Sequence, residues 1–398
     1  MVIKPKIKGS LALNCHPVGC KEEVLNQIKY VENSKKYKGA KKVLIIGASS
    51  GYGLATRISL AFGGSESDTI GVSFEREGSK RKVGSAGWYS NIWFREEAEK
   101  KGLIAKNILG DAFSHNMKEE VIKYIKEEFG GKIDLLVYSL ASGMRTDPDT
   151  NKIYKSNLRP QGESLTGFTF NVEKESMEEV TLTPATEEDL TNTVKVMGGE
   201  DWELWVKALM DADVVSEGFK TMAYSYIGPA VMEGIYRHGT IGSAKEHLEK
   251  TARDLDEVLK DEKSGEAYVA VNKAIVTKAS AYIPIFPLYA SALMRVMEEK
   301  GIEENAIEHT HRLFADMVYG DKPEFDSEKR MRPDSWELRE DVQEEVLGIY
   351  KKVTEENFKE LTDFDKYKTE FLKLNGFKVD GVDYDEDVDL EELSKLKP

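Results

Sequence analysis

Three groups of residues in this chain have types and spacings that suit chemistry. The first is Gly47-Ala48-Ser49-Ser50-Gly51-Tyr52-Gly53, a GxxxGxG turn. One glycine permits a tight exit from a strand, a second lets backbone approach a pyrophosphate, and a third lets a helix pack close to a sheet. The N-terminus of the helix that follows offers free N–H groups and the positive end of its dipole to phosphates. Glu75 lies beyond the turn at about the 20-residue distance where a dinucleotide fingerprint places its acidic residue. A carboxylate there accepts hydrogen bonds from ribose hydroxyls and repels a 2′-phosphate, so NADH is expected over NADPH. Arg76, Lys80, Arg81 and Lys82 follow at once and could hold that phosphate, but a solvated basic loop accounts for them more simply.

The second group pairs tyrosine with lysine. The one YxxxK runs from Tyr37 to Lys41 and precedes the first predicted strand, the wrong place for a catalytic pair. Tyr224, Tyr226, Tyr236 and Lys245 lie between two later strands. Tyr236 and Lys245 are nine residues apart. A continuous helix would rotate roughly 900° over that span and put them on opposite faces. Gly239 and Gly242 intervene and can break the helix, leaving Tyr236 before the turn and Lys245 after it, both toward one cleft. On spacing alone, a buried tyrosine and a surface lysine are the default.

The third group is Cys15, His16 and Cys20, with no fourth ligand nearby. That is a poor zinc site, so no metal is expected and the residues read as a packed loop. Asp383, Asp385 and Asp387 invite a calcium-loop reading, but Val388 stands where that loop needs glycine and Ser394 where it needs glutamate. A solvated acidic tail is expected instead. Trp202 and Trp205 read as helix packing, and Lys152, Lys155 and Arg159 as a solvated edge.

The elements that must position these residues alternate in type. Val43 to Ile46 is a continuous apolar run, as a strand buried on both faces requires, and Leu54 to Phe62 reads as a helix. Strands are expected at Thr69–Phe74, Ile104–Gly110, Ile133–Ser139 and Tyr268–Val276, with helices at Met117–Glu128 and around Leu288–Met297. The pattern predicts an α/β fold with a doubly wound, Rossmann-type parallel sheet. Ligands of such sheets lie outside the carboxyl ends of the strands. Asp111 is thereby placed to accept from an adenine amino group, unless it is a helix N-cap. Ser139, Leu140 and Ala141 would lie along the cofactor, and Ile275, Val276 and Thr277 would meet a nicotinamide carboxamide. Residues 150–185 read as a small antiparallel insertion built from KIYKSNL, TGFTFNV and EEVTLTP. The chain is expected to be one domain over 1–398, with lid elements from 150–230 and a helical, acidic extension from 320 to 398.

Composition narrows the classes. Lys plus Arg number 56 and Asp plus Glu 71, a net charge of −15. Nucleic-acid and anionic-membrane binders need a positive surface, so neither partner is expected. Two cysteines make no disulfide framework, no run reaches the length of a membrane span, and no signal peptide is visible; a cytoplasmic protein is expected.

The segments GASSGYGLATR, YSYIGPAVMEGIYRHGTIGSAK and IVTKASAYIPIFPLY together resemble the trans-2-enoyl-CoA reductase family, also known as FabV-type enoyl-acyl-carrier-protein reductases, a branch of the short-chain dehydrogenase/reductase superfamily. The resemblance covers essentially the whole chain, including CHPVGC near its start. It implies NADH-dependent reduction of the carbon–carbon double bond of a trans-2-enoyl thioester. Tyr236 would donate the proton or stabilise the oxyanion, Lys245 would contact the cofactor ribose, and Tyr226 would contact substrate. Cofactor positions map onto Ala48 to Gly53, Phe74-Glu75, Asp111-Ala112, Leu140-Ala141 and Ile275 to Thr277. The partner is an enoyl thioester of CoA or of acyl-carrier protein, and the expected state is a monomer. Strong acidity disfavours an acidic carrier, so short-chain enoyl-CoA is the first substrate. The alternatives are a carbonyl reductase of the same superfamily and a non-enzymatic NADH-responsive protein.

Overall fold

The computed structural model describes residues 1–398. Its central sheet has six parallel strands: β1 (Lys42–Ile46), β2 (Asp68–Ser73), β3 (Ala105–Leu109), β4 (Ile133–Tyr138), β5 (Val215–Ser225) and β6 (Glu266–Val271). Their spatial order is β6-β5-β4-β1-β2-β3. Strand order reverses between β1 and β4, and that switch point opens the crevice where doubly wound sheets bind ligands. The α/β fold is therefore the Rossmann-type one that the alternation predicts.

The principal helices are α1 (Pro17–Asn33), α2 (Gly51–Phe62), α3 (Ala86–Lys100), α4 (His115–Glu128), α5 (Glu187–Met197), α6 (Glu200–Asp211), α7 (Thr240–Lys263) and α8 (Phe286–Glu299). Successive strand residues point to opposite faces. Leu44 and Ile46 accordingly pack with Val121 of α4, Trp202 of α6 and Leu248 of α7, whereas Val43 and Ile45 pack with Leu60 of α2 and Phe314. All four are fully buried, which is why this strand shows no polar alternation.

Beyond residue 320 the chain forms short helices whose apolar faces join α8. Val342, Phe358, Phe364 and Tyr367 bury against Leu288 and Leu293, with Phe170 inserted from a hairpin. Met331 runs beside β6 like a one-residue strand: Val271 N donates to its carbonyl and its N–H donates to Val269 O, each at 2.9 Å.

Several expectations are corrected. The strand expected to reach Val276 ends at Val271. Asn272 N still bonds Ser225 O at 2.9 Å, but Lys273 is buried and must turn toward Glu303, so residues 272–277 form a buried loop. Asp111 is not an N-cap; Ser114 caps α4 by accepting from Met117 N at 3.1 Å. The 150–185 insertion is two hairpins' worth of strand: Ile153–Lys155 pairs with Met144–Thr146, while Leu165–Asn171 pairs with Ser176–Leu182. The acidic tail is not simply solvated. Val388 and Leu390 are buried, and Val388 N donates to Met1 O at 3.0 Å.

Candidate active site

Tyr226, Tyr236 and Lys245 line one small cavity at the carboxyl end of β5. The chain reaches it through a turn that delivers Tyr236 and then starts α7 at Thr240. Gly242 makes this possible: a Cβ there would sit 1.9 Å from the Tyr236 carbonyl oxygen. The first turn of α7 thus presses directly on Tyr236, and Lys245 follows on the same side.

The electrostatics of the cavity disfavour charge. Tyr236 is buried and its hydroxyl has no partner within the chain; burial, then the Glu337 carboxyl, hold its phenol well above the usual range. Lys245 is half-buried with no ion-pair partner, and burial pushes its ammonium down to about 8 against a weaker pull from Glu249. The rings of Tyr226 and Tyr236 meet edge to face at 4.7 Å. A neutral, buried phenol beside a lysine is suited to donating a proton to an oxygen that becomes negative.

A cradle for a dinucleotide lies beside this cavity. A Cβ on Gly53 would stand 1.9 Å from the Gly47 carbonyl oxygen, so only glycine lets α2 start this close to the strand exit. Ser50, the N-cap, makes no side-chain bond to the helix, which leaves the first N–H groups of α2 free for phosphate. Glu75 is fixed by two hydroxyls: Ser49 Oγ donates at 2.6 Å, and Ser85 Oγ donates to its other oxygen. Phe74, at the end of β2, is 82% exposed. Ala48 is buried beneath the turn, while Asp111 and Ala141 are exposed and Leu140 half-buried. Thr277 lies against Gly51, and Tyr52 Oη donates to Lys273 O, so the 272–277 loop is tied to the glycine turn. These residues fit a dinucleotide.

Two supports escape sequence reasoning. Lys118 Nζ, on α4, pairs with Asp201 of α6 at 2.8 Å and donates to Ala112 O and Phe113 O at 3.2 Å. Tyr138 Oη donates to the same carboxylate at 3.0 Å, all in a buried setting. This network braces the turn that carries Asp111. Glu337, fully buried, accepts from Tyr226 Oη at 2.9 Å, Tyr289 Oη at 2.7 Å and Ala274 N at 2.6 Å. Nothing in spacing announces either. Elsewhere, Trp202 and Trp205 are fully buried, His16 caps α1 by accepting from Gly19 N, and Cys15 and Cys20 are buried free thiols. A cavity of about 410 Å³ lies behind Ile275 and Val276 and is walled by Glu298, Glu303 and Glu308. Its carboxylates suit no anionic thioester.

A Rossmann-type sheet with a glycine cradle and an adjoining tyrosine–lysine cavity defines a dinucleotide-binding α/β protein. The chain belongs to the trans-2-enoyl-CoA reductase family. The family profile described as the trans-2-enoyl-CoA reductase catalytic region matches residues 82–319. That for the NAD(P)H binding domain of trans-2-enoyl-CoA reductase matches residues 2–80. A trans-2-enoyl-CoA reductase [NADH] of Clostridium beijerinckii is 55% identical over 100% of both chains. An enoyl-[acyl-carrier-protein] reductase [NADH] 2 of Photobacterium profundum is 50% identical, again over 100% of both. The crystal structure of a Clostridium acetobutylicum trans-2-enoyl-CoA reductase in complex with NADH superposes with a TM-score of 0.98 at 51% identity, covering 100% of each chain.

A third profile, described as the enoyl reductase FAD binding domain, matches residues 325–388. The residues there do not fit a flavin. Phe358, Phe364, Tyr367, Phe371 and Phe377 are buried in one apolar cluster with α8, and the segment has no glycine turn between strand and helix.

Proposed function

We propose that this chain is an NADH-dependent trans-2-enoyl-CoA reductase, with the cavity shared by Tyr236 and Lys245 beside the glycine cradle as the observation that carries the reading. Bound NADH supplies the hydride that adds to the β-carbon of the enoyl thioester. Negative charge then develops on the thioester oxygen. The Tyr236 hydroxyl, free of any partner in the chain, stabilises that charge and provides the proton that ends at the α-carbon. Lys245 holds the cofactor ribose and, when charged, makes the phenol a better acid. Tyr226 contacts the thioester. Gly47, Ala48, Ser49, Ser50, Gly51, Tyr52 and Gly53 cradle the pyrophosphate, Glu75 takes the ribose hydroxyls beside Phe74, and Asp111 with Ala112 takes the adenine. Leu140, Ala141, Ile275, Val276 and Thr277 line the remainder of the cofactor.

The substrate is an enoyl thioester, with short-chain CoA esters preferred to carrier-protein esters by the chain's acidity. The strand order and the tyrosine–lysine pair support a place within the short-chain dehydrogenase/reductase superfamily. The residues that line the cavity come from one chain, in keeping with a working monomer, and two buried free thiols suit a reducing compartment such as the cytoplasm. No helix is long and apolar enough to cross a membrane.

The test is NADH oxidation at 340 nm with crotonyl-CoA, beside NADPH and a simple ketone. Rapid oxidation with crotonyl-CoA is expected. Tyr236→Phe keeps the ring packed on Tyr226 and should lower kcat by about 10²- to 10³-fold, the usual cost of losing one oxyanion donor. Turnover of the ketone alone, or wild-type kcat in Y236F, would overturn the reading.

A further inference from the structure

Glu337 lies more than 60 residues beyond the last residue of the α7–β6 unit, yet it touches both sides of the site. Its Oε1 accepts from Tyr226 Oη and Tyr289 Oη, and its Oε2 accepts from Ala274 N, in the middle of the 272–277 loop. It has no cation of its own. Arg332 is engaged bidentately by Asp334, and Arg312, stacked on Trp336 at 4.0 Å, donates to Glu304 and to Pro333 O. We propose that Glu337 is a positioning residue of the reductive site: its carboxyl decides which way the Tyr226 hydroxyl points, and its hold on Ala274 fixes the loop that faces the cofactor. The inference rests on the proposed reductase reading and adds a residue to it.

The argument is one of donors and acceptors. An ionised carboxylate only accepts, so both phenols must aim their O–H at it. Tyr226 then offers the cavity a lone pair. A protonated carboxyl has one O–H to give. When that O–H goes to Tyr226, the Tyr226 hydroxyl is free to turn toward the cavity and becomes a second donor to the thioester oxygen. The groups facing Glu337 are Tyr226, Tyr236, Tyr289 and Tyr52 from the elements around it and Asp334 from its own. Burial raises its carboxyl to about 7, with Asp334 adding to the shift and the Tyr289, Ala274 and Tyr226 bonds opposing it. Both forms are therefore populated near neutrality. Turnover is expected to fall as pH rises through about 7, because the second donor is withdrawn.

Glu337→Gln tests this. Its amide turns the oxygen to Ala274 N–H and the NH2 to the two phenols, so Tyr226 receives a hydrogen bond at every pH, as it does from the neutral acid. The expected result is a kcat with crotonyl-CoA that stays at the wild-type low-pH level and loses the inflection near 7. Tyr226→Phe, which leaves the carboxyl in place, should lose the same inflection. In the infrared, the wild type should lose a buried carboxyl C=O band between pH 6 and 8, a band absent from E337Q. A purely structural Glu337 would instead leave the inflection in both variants, and that result, or a wild-type band that does not titrate, overturns the proposal. Absence of any crotonyl-CoA turnover in the wild type would sink the reductase reading separately, while the infrared titration still decides the protonation of Glu337.

Discussion

Replacing Lys118 by Met should destabilise the protein by an amount that depends on pH, and the size follows from what the substitution orphans. Lys118 and Asp201 are both buried and paired at 2.8 Å. Burial raises the Asp201 carboxyl and lowers the Lys118 ammonium, and their attraction opposes both shifts. In K118M the Asp201 carboxylate keeps only the Tyr138 hydroxyl as a donor. It escapes by taking up a proton, so its cost cannot exceed that of protonating an ordinary aspartate, about 1.4 kcal/mol per pH unit above about 3.9. That ceiling is about 4 kcal/mol at pH 7 and about 2 kcal/mol at pH 5.5. The folded-state pKa in the variant lies above the unfolded one, so the loss grows as pH rises. At about 2.1 cal/mol/K of unfolding entropy per residue, this part of the Tm deficit should reach at most about 5 °C at pH 7 and about 2.5 °C at pH 5.5. A smaller, pH-independent loss from the Phe113 carbonyl adds to both. Thermal unfolding of wild type, K118M and K118M/D201N across pH 5.5 to 8 reads this directly. In the double variant the pH-dependent part should vanish. A deficit in K118M that is flat with pH would refute the reasoning, because the carboxylate would then not be the orphan.

Other expectations concern the cofactor. Gly53→Ala puts a Cβ 1.9 Å from Gly47 O, so the start of α2 must move away from the strand exit. NADH affinity by fluorescence titration should drop at least about 10-fold, even though alanine favours the helix itself by up to about 1 kcal/mol. Glu75→Gln removes the charge that Ser49 and Ser85 hold in place, so the ratio of kcat/KM for NADPH to that for NADH should rise about 10-fold or more. Lys245 is cationic below about 8, so kcat/KM for NADH should decline above that pH in the wild type and lose the decline in Lys245→Met.

The sheet was legible because its strands are buried on both faces and read as apolar runs; Val43 to Ile46 is the clearest. The end of β6 was not, because Tyr268 to Val276 stays apolar in character while Lys273 leaves the sheet for Glu303, 30 residues away in sequence. The partner of Ile153–Lys155 was not legible for a related reason: a three-residue strand carries too little alternation to name it. The glycine turn announced a cradle by itself. The Tyr236–Lys245 pair did not, since its convergence depends on the Gly242 contact, and only the resemblance singled it out. Glu337 has no local signature at all. Its partners Tyr226, Ala274 and Tyr289 lie 111, 63 and 48 residues away, and a lone glutamate in a polar segment reads as surface.

The Met331 strip beside β6 has a consequence for how the molecule is made. A parallel edge strand with bare N–H and C=O groups is a template for pairing with other chains. Here the cover for that edge is encoded roughly 60 residues downstream of the strand it protects. At ordinary rates of synthesis the interval is roughly 3 to 12 s. During it the nascent chain carries an open flank and lacks Glu337 as well, so guarding the sheet and completing the site are late events on the ribosome. Chaperone demand should therefore concentrate in that interval, and chains interrupted between Val271 and Met331 should be the ones that aggregate.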